Sequence, residues 1–143
     1  MGRFLTYGPG SKGDLMLRTL FVVDTFVAGA FGVVLVFAPG LLFTLYGLQY
    51  GASADVVARL LGAFVLGQAP LLWAMRDHTA TPAGIAITRA HGTIDTVCTI
   101  LTAQACLRGV MNGQGWVVVV LFALFGSARV YYGFFAKPAL ATA

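Results

Sequence analysis

A chain of 143 residues with 59% apolar and only 10% charged side chains cannot clothe itself in an ordinary wetted surface, because soluble domains carry about one quarter charged residues. Mean hydropathy is +0.86, and the apolar runs extend along the whole chain, which excludes a soluble domain hung on one anchor and leaves a single domain. The net charge is +4, but its basic residues are scattered rather than striped, so nucleic acid is excluded as a partner.

Residues 1–19 are polar and glycine-rich, with Arg3, Lys12 and Arg18 ahead of an apolar run. That pattern is similar to a signal-peptide n-region. The run 17–38, however, is long enough at 1.5 Å per residue to cross a hydrocarbon core of ~30 Å, so a retained first membrane helix is expected. The stretch 39–54, containing Gly40-Leu-Leu-Phe-Thr-Leu-Tyr-Gly-Leu-Gln-Tyr50, is too apolar to be freely solvated and too short to span. It is expected in the outer interface, as a connector or as a lid over a pocket between helices.

The second span is expected at 55–75, with Ser53 as N-cap. Pro70 should kink it and free a carbonyl. The third, 82–108, has proline in its first turn and Gly109 just past its end. Cys98 and Cys106 on that helix are about 12 Å apart along the axis, too far for a mutual disulfide. The fourth span is expected at 115–136, stopping before Pro138.

The fold class is therefore all-α, an integral membrane four-helix bundle. Basic residues flank the first helix, the middle loop (Arg76) and the C-terminus (Lys137), whereas 39–54 has none, so both termini are expected in the cytoplasm of a bacterial inner membrane. Ala28 with Gly32, Ala58 with Gly62 and Ala63 with Gly67 have the small-xxx-small spacing that serves bundle packing or homo-oligomerisation.

Ionisable residues inside spans are costly in lipid and need partners, water or a function. Asp24, Arg89 and Arg129 all fall ~10 Å below the same surface at 1.5 Å per residue, with Asp95 a little deeper. On the third helix Thr88, His91, Gly92, Asp95, Thr99, Thr102 and Cys106 share one sector, and His91 and Asp95 stand at touching i to i+4 spacing. Arg89, Thr93 and Thr96 form an adjacent strip, which makes this helix the most enclosed. Two readings stand side by side. In one, Asp24, Asp95, Arg89 and Arg129 form a buried balanced network that fixes helix order. In the other they line a polar cavity for a lipid headgroup, a quinone-like ring or a small anion, or relay a proton through His91 and Asp95. Gln68, near mid-membrane, is expected to bond across helices. Arg59 and Arg108 can snorkel and need no special role.

The segments Phe37-Ala-Pro-Gly40, Leu45-Tyr-Gly47 and Arg59-Leu-Leu-Gly62 resemble the first half of the small DoxX-like bacterial membrane proteins, over about half the chain. The resemblance implies a four-helix inner-membrane protein, sometimes a subunit of a quinone-linked or redox assembly. Arg89-Ala-His-Gly-Thr-Ile-Asp95 is similar to the Arg, Asn and Glu motif of the glutathione-transferase-like membrane proteins, where the arginine and the acid would hold glutathione. It departs from that pattern in lying on the third helix and in having Thr93 where asparagine is expected.

No complete nucleophile, metal or phosphate motif is present, so no metal or other cofactor is expected, although a lipid or quinone could be bound. The leading expectation is a non-catalytic accessory or structural subunit of a larger bacterial membrane complex, or a homo-oligomer. The alternatives are a small transporter or lipophilic-ligand carrier, and a membrane enzyme acting on a lipid or quinone with His91 and Asp95 as acid and base. The ligand or polar-network candidates are Asp24, Gln68, Arg89, His91, Asp95 and Arg129.

Overall fold

The computed structural model describes residues 6–7 and 10–138; Arg3, counted above among the flanking basic residues, lies outside them. Helix α1 spans Lys12–Phe37, α2 Pro39–Tyr46, α3 Ala52–Met75, α4 Pro82–Leu107 and α5 Gly115–Val130, and α5 runs on into a π-helical turn at Tyr131–Phe135. A short parallel pairing of β1, Thr6–Tyr7, with β2, Lys137–Pro138, joins the two ends of the described chain.

Each boundary has a local cause. Ser11 caps α1 by accepting from the Asp14 backbone N–H at 3.2 Å, and the Asp14 carboxylate favours the positive end of the helix dipole. The helix thus begins five residues before the apolar run expected at 17. It ends at Ala38 because proline follows and disfavours helical geometry in the residue before it. The same proline, Pro39, opens α2 at its first position, where no N–H is needed. Gly47, at φ 69°, closes α2; Leu48 N–H returns to the Phe43 carbonyl at 2.8 Å, a Schellman ending that only a residue tolerant of positive φ completes cheaply. The stretch expected as a loop therefore contains an eight-residue helix.

Ser53 is not the N-cap of α3. The N-cap is Gly51, two residues earlier, without a side-chain cap, and Ser53 sits in the first turn. Thr81 caps α4 by accepting from Gly84 N–H at 3.1 Å, with Pro82 at its first position. Gly109, at φ 70°, ends it as expected.

Helices α1 and α3 pack as one antiparallel pair, α4 and α5 as another. In both pairs glycines face backbone. A Cβ on Gly32 would lie 2.7 Å from the Leu66 backbone, and one on Gly62 2.6 Å from Leu35 Cβ. Leu66 is the residue whose carbonyl loses its helical partner to Pro70, so one of the two close approaches of α1 falls where the α3 ladder is interrupted. In the second pair Gly92 faces Arg129 and Val130, and Gly126 faces Asp95 and Thr96. Of the expected small-residue pairs, Gly32 and Gly62 serve these contacts, whereas a Cβ on Gly67 would meet nothing within 4 Å.

The molecule is inside-out by soluble standards. Phe26, Phe37, Leu60, Phe64, Leu107 and Leu124 are exposed, while the fully buried side chains include Thr79, Thr88 and Arg129. Three helical segments, Lys12–Phe37, Ala52–Met75 and Gly115–Phe135, are long and apolar enough to cross a membrane, which marks an integral membrane protein. Helix α4, with 26 residues, is about 39 Å long but more polar. Its buried residues, Gly84, Thr88, His91, Gly92 and Asp95, all lie between its first turn and its middle.

Gly32→Ala is expected to destabilise the α1–α3 pair by about 1–3 kcal/mol through overpacking. Gly67→Ala should be neutral or mildly stabilising, since alanine is the better helix former. Thermal unfolding of the two variants in the same detergent checks the contrast.

Candidate functional site

At the level of Gly92 and Gly126 the α4–α5 approach is close enough for the Arg129 side chain to be sealed between helices. Arg129 is 1% exposed and is the largest fully buried side chain. Its Nη2 donates to Asp24 Oδ2 of α1, and its Nη1 donates to Asp95 Oδ2 of α4. One guanidinium thus ties both helix pairs together. The fork geometry suits the task, because two separated N–H groups serve two carboxylates at once. Arg129 Nε is buried and has no hydrogen-bond partner among the described residues.

Depth arithmetic places Asp24, Arg89 and Arg129 at one level with Asp95 a little deeper, and the structure brings Asp24, Asp95 and Arg129 into contact. It does not bring Arg89 with them. Arg89 is exposed; its Nε donates to the Gly133 carbonyl at 2.6 Å, and its guanidinium lies 5.5 Å from the centre of the Phe134 ring. Gly133 lies in the last turn before the helical segment ends at Phe135, where carbonyls lack an intrahelical donor and can accept from a side chain. The expected balance of two acids by two bases is therefore a cluster of two acids and one base.

His91 is buried, 9% exposed, within electrostatic reach of Arg129 and Asp24. It makes no hydrogen bond to Asp95, whose Oδ2 is held by Arg129. Gln68 is half-buried on α3 and makes no hydrogen bond to the described residues, so the interhelical bond expected of it is not formed. Thr93 and Thr96, expected in an enclosed strip, are exposed. They bond back to the carbonyls of Arg89 at 3.0 Å and Gly92 at 2.7 Å, as Thr88 and Thr99 do to Gly84 and Asp95. Four hydroxyls are satisfied inside their own helix.

Each end of the bundle carries its own polar lock. At the α1 N-terminal end Thr79 Oγ1 donates to Asp14, Arg18 pairs with Asp77 at 2.9 Å, and the Arg76 guanidinium stacks 3.7 Å from the centre of the Trp73 ring. At the α2 end Arg59, given no role by the sequence, pairs with Asp55 and donates to the Val36 carbonyl at 2.5 Å. It caps the C-terminus of α1. Tyr50 donates to Asp55, and that hydrogen bond pushes its hydroxyl ionisation above the usual range. Asn112 holds the Leu45 and Tyr46 carbonyls at 2.8 and 2.9 Å, fastening α2 to the turn after α4. The Asp14 role had a readable signal, since Ser11-Lys-Gly-Asp14 has capping-box spacing.

Beneath α2 lies an open apolar groove of about 550 Å³, walled by Phe31 and Leu35 of α1, Leu42 and Tyr46 of α2, and Val57 and Leu61 of α3. None of the buried ionisable residues lines it. Among the described residues no group of three or more His, Cys, Asp and Glu is placed to hold a metal ion.

Replacing Arg129 by glutamine leaves two carboxylates without their cation and is expected to cost about 3–5 kcal/mol. Arg89→Gln, which removes one exposed bond to a carbonyl, should cost about 1 kcal/mol or less. Chemical or thermal unfolding in detergent separates the two. Known families, curated proteins and solved structures yield no match to this chain.

Proposed function

We propose that the chain crosses a bacterial inner membrane four times as one bundle, with both termini and the α3–α4 turn in the cytoplasm, and serves as a non-catalytic accessory subunit of a larger membrane complex. The observation that carries this reading is how the intramembrane polar groups are used. Arg129 is taken up by Asp24 and Asp95, Arg89 by a carbonyl, and the α4 threonines by their own helix. Such self-satisfaction is what lipid demands of a fourth crossing. It holds the ionisable groups in helix-to-helix contacts rather than at a substrate. The long apolar faces left outside are then available to acyl chains and to a partner's helices, as the DoxX-like resemblance implies for an assembly subunit.

Orientation follows from loop charge. The end carrying Arg18, Arg76 and His78 is the basic one, and the α2 segment has no Lys or Arg. In a background with Cys98→Ala and Cys106→Ala, a cysteine at His78→Cys should react with a membrane-impermeant reagent from the cytoplasmic side only, and one at Gly113→Cys from the opposite side only. Isolation from native membranes in mild detergent tests the role, with a stoichiometric protein partner expected. A chain that runs alone would defeat the accessory reading while leaving the topology untouched.

The groove under α2 favours a second reading, a lipophilic-ligand carrier. Its size and apolar lining suit an amphiphile. Ala54→Trp, which fills the groove, would then reduce the lipid retained on purification as seen by native mass spectrometry.

A further inference from the structure

We propose that the cluster of Asp24, Asp95 and Arg129 is a binding site for one exchangeable proton, held at neutral pH by the two carboxylates in common. The charge count supplies the reason. Fully ionised, two carboxylates around one guanidinium leave one negative charge enclosed among helices, with Arg129 1% and Asp95 6% exposed and the Asp24 side chain 18% exposed. A buried charge without a partner is neutralised more cheaply by a proton than by any rearrangement of the bundle. Each carboxylate gives Oδ2 to Arg129, so Oδ1 of either remains to form the O–H bond. The proton comes from water at the nearer end of the bundle and returns there, with Asp24 as the least enclosed member.

His91 supplies the independent observation. Its imidazole is nine-tenths buried beside the cluster yet has no hydrogen-bond partner among the described residues. It stands at the i to i+4 spacing from Asp95, where a carboxylic acid would offer it a donor that a carboxylate lacks. A proton placed on His91 instead would set an imidazolium beside the Arg129 guanidinium, with both carboxylates already engaged.

Among the described residues no other charge corrects the count. On α1, Arg18 is engaged by Asp77. On α3 the ionisable residues Asp55 and Arg59 form their own pair near its start. On α4, Arg89 is exposed and bonded to Gly133, and Cys98 contributes a half-buried free thiol. Arg129 is the one Lys or Arg of α5. The site is thus set by α1, α4 and α5 alone, and it does not depend on whether the protein has a partner.

Infrared spectroscopy of the full chain in lipid nanodiscs tests the proposal. All five acidic side chains are aspartate, so a protonated-carboxyl C=O band that shifts with ¹³C-aspartate has one chemical source. Wild type is expected to show one such carboxyl per chain at neutral pH, lost on alkaline titration with release of one proton. Asp24→Asn and Asp95→Asn each leave a neutral pair, so the band should vanish in both, while Arg89→Gln keeps it. Absence of the band from folded wild type overturns the proposal whether or not the variants fold. So does its persistence in either asparagine variant.

Discussion

The contact on which the rest of this molecule depends is one buried guanidinium held between carboxylates of two other helices. Glycines bring α1 to α3 and α4 to α5, but such contacts act within each pair. Arg129 reaches from the second pair to Asp24 of the first while holding Asp95 of its own. In water an ion pair of this kind contributes little, because both partners are well solvated apart. Enclosed among helices, separation strands the charges, and the same contact sets which helix faces which.

Around that contact the usual ordering of interior and surface is reversed. The interior holds polar groups that hydrocarbon would not solvate, and the outside carries large apolar side chains. Polar locks recur where the helices end: Asp14 with Thr79 and Arg18 with Asp77 at one end, Arg59 with Val36 and Asn112 with Leu45 at the other. Both kinds of contact answer the same requirement, that backbone and side-chain polar groups removed from water find partners within the protein.

Much of this was readable from residue spacing. The long helices followed from apolar length, and Pro39, Pro82 and Gly109 sit where their chemistry limits a helix. Counting residues from one surface brought Asp24, Arg89 and Arg129 to one level, with Asp95 a little deeper. What escaped was settled by tertiary geometry. Eight residues of α2 are too few to form a helix on local propensity, and Asn112 and the groove walls support them. Arg89 looked equivalent to Arg129 by depth, but it bonds the Gly133 carbonyl in the last turn of the α5 segment, and no spacing rule foretells that pairing. Gln68 lay at the right depth for an interhelical bond, and the structure brings it no partner among the described residues. Arg59 was dismissed as a boundary arginine because the carbonyl it caps lies 23 positions away in sequence.

A double-mutant cycle on Asp24→Asn and Arg129→Gln, followed by reversible unfolding in one detergent, measures the link between the helix pairs directly. If one guanidinium joins them, the two substitutions are strongly non-additive, with a coupling of about 1–3 kcal/mol. Additivity within about 0.3 kcal/mol would place Asp24 and Arg129 in separate surroundings and contradict the arrangement described.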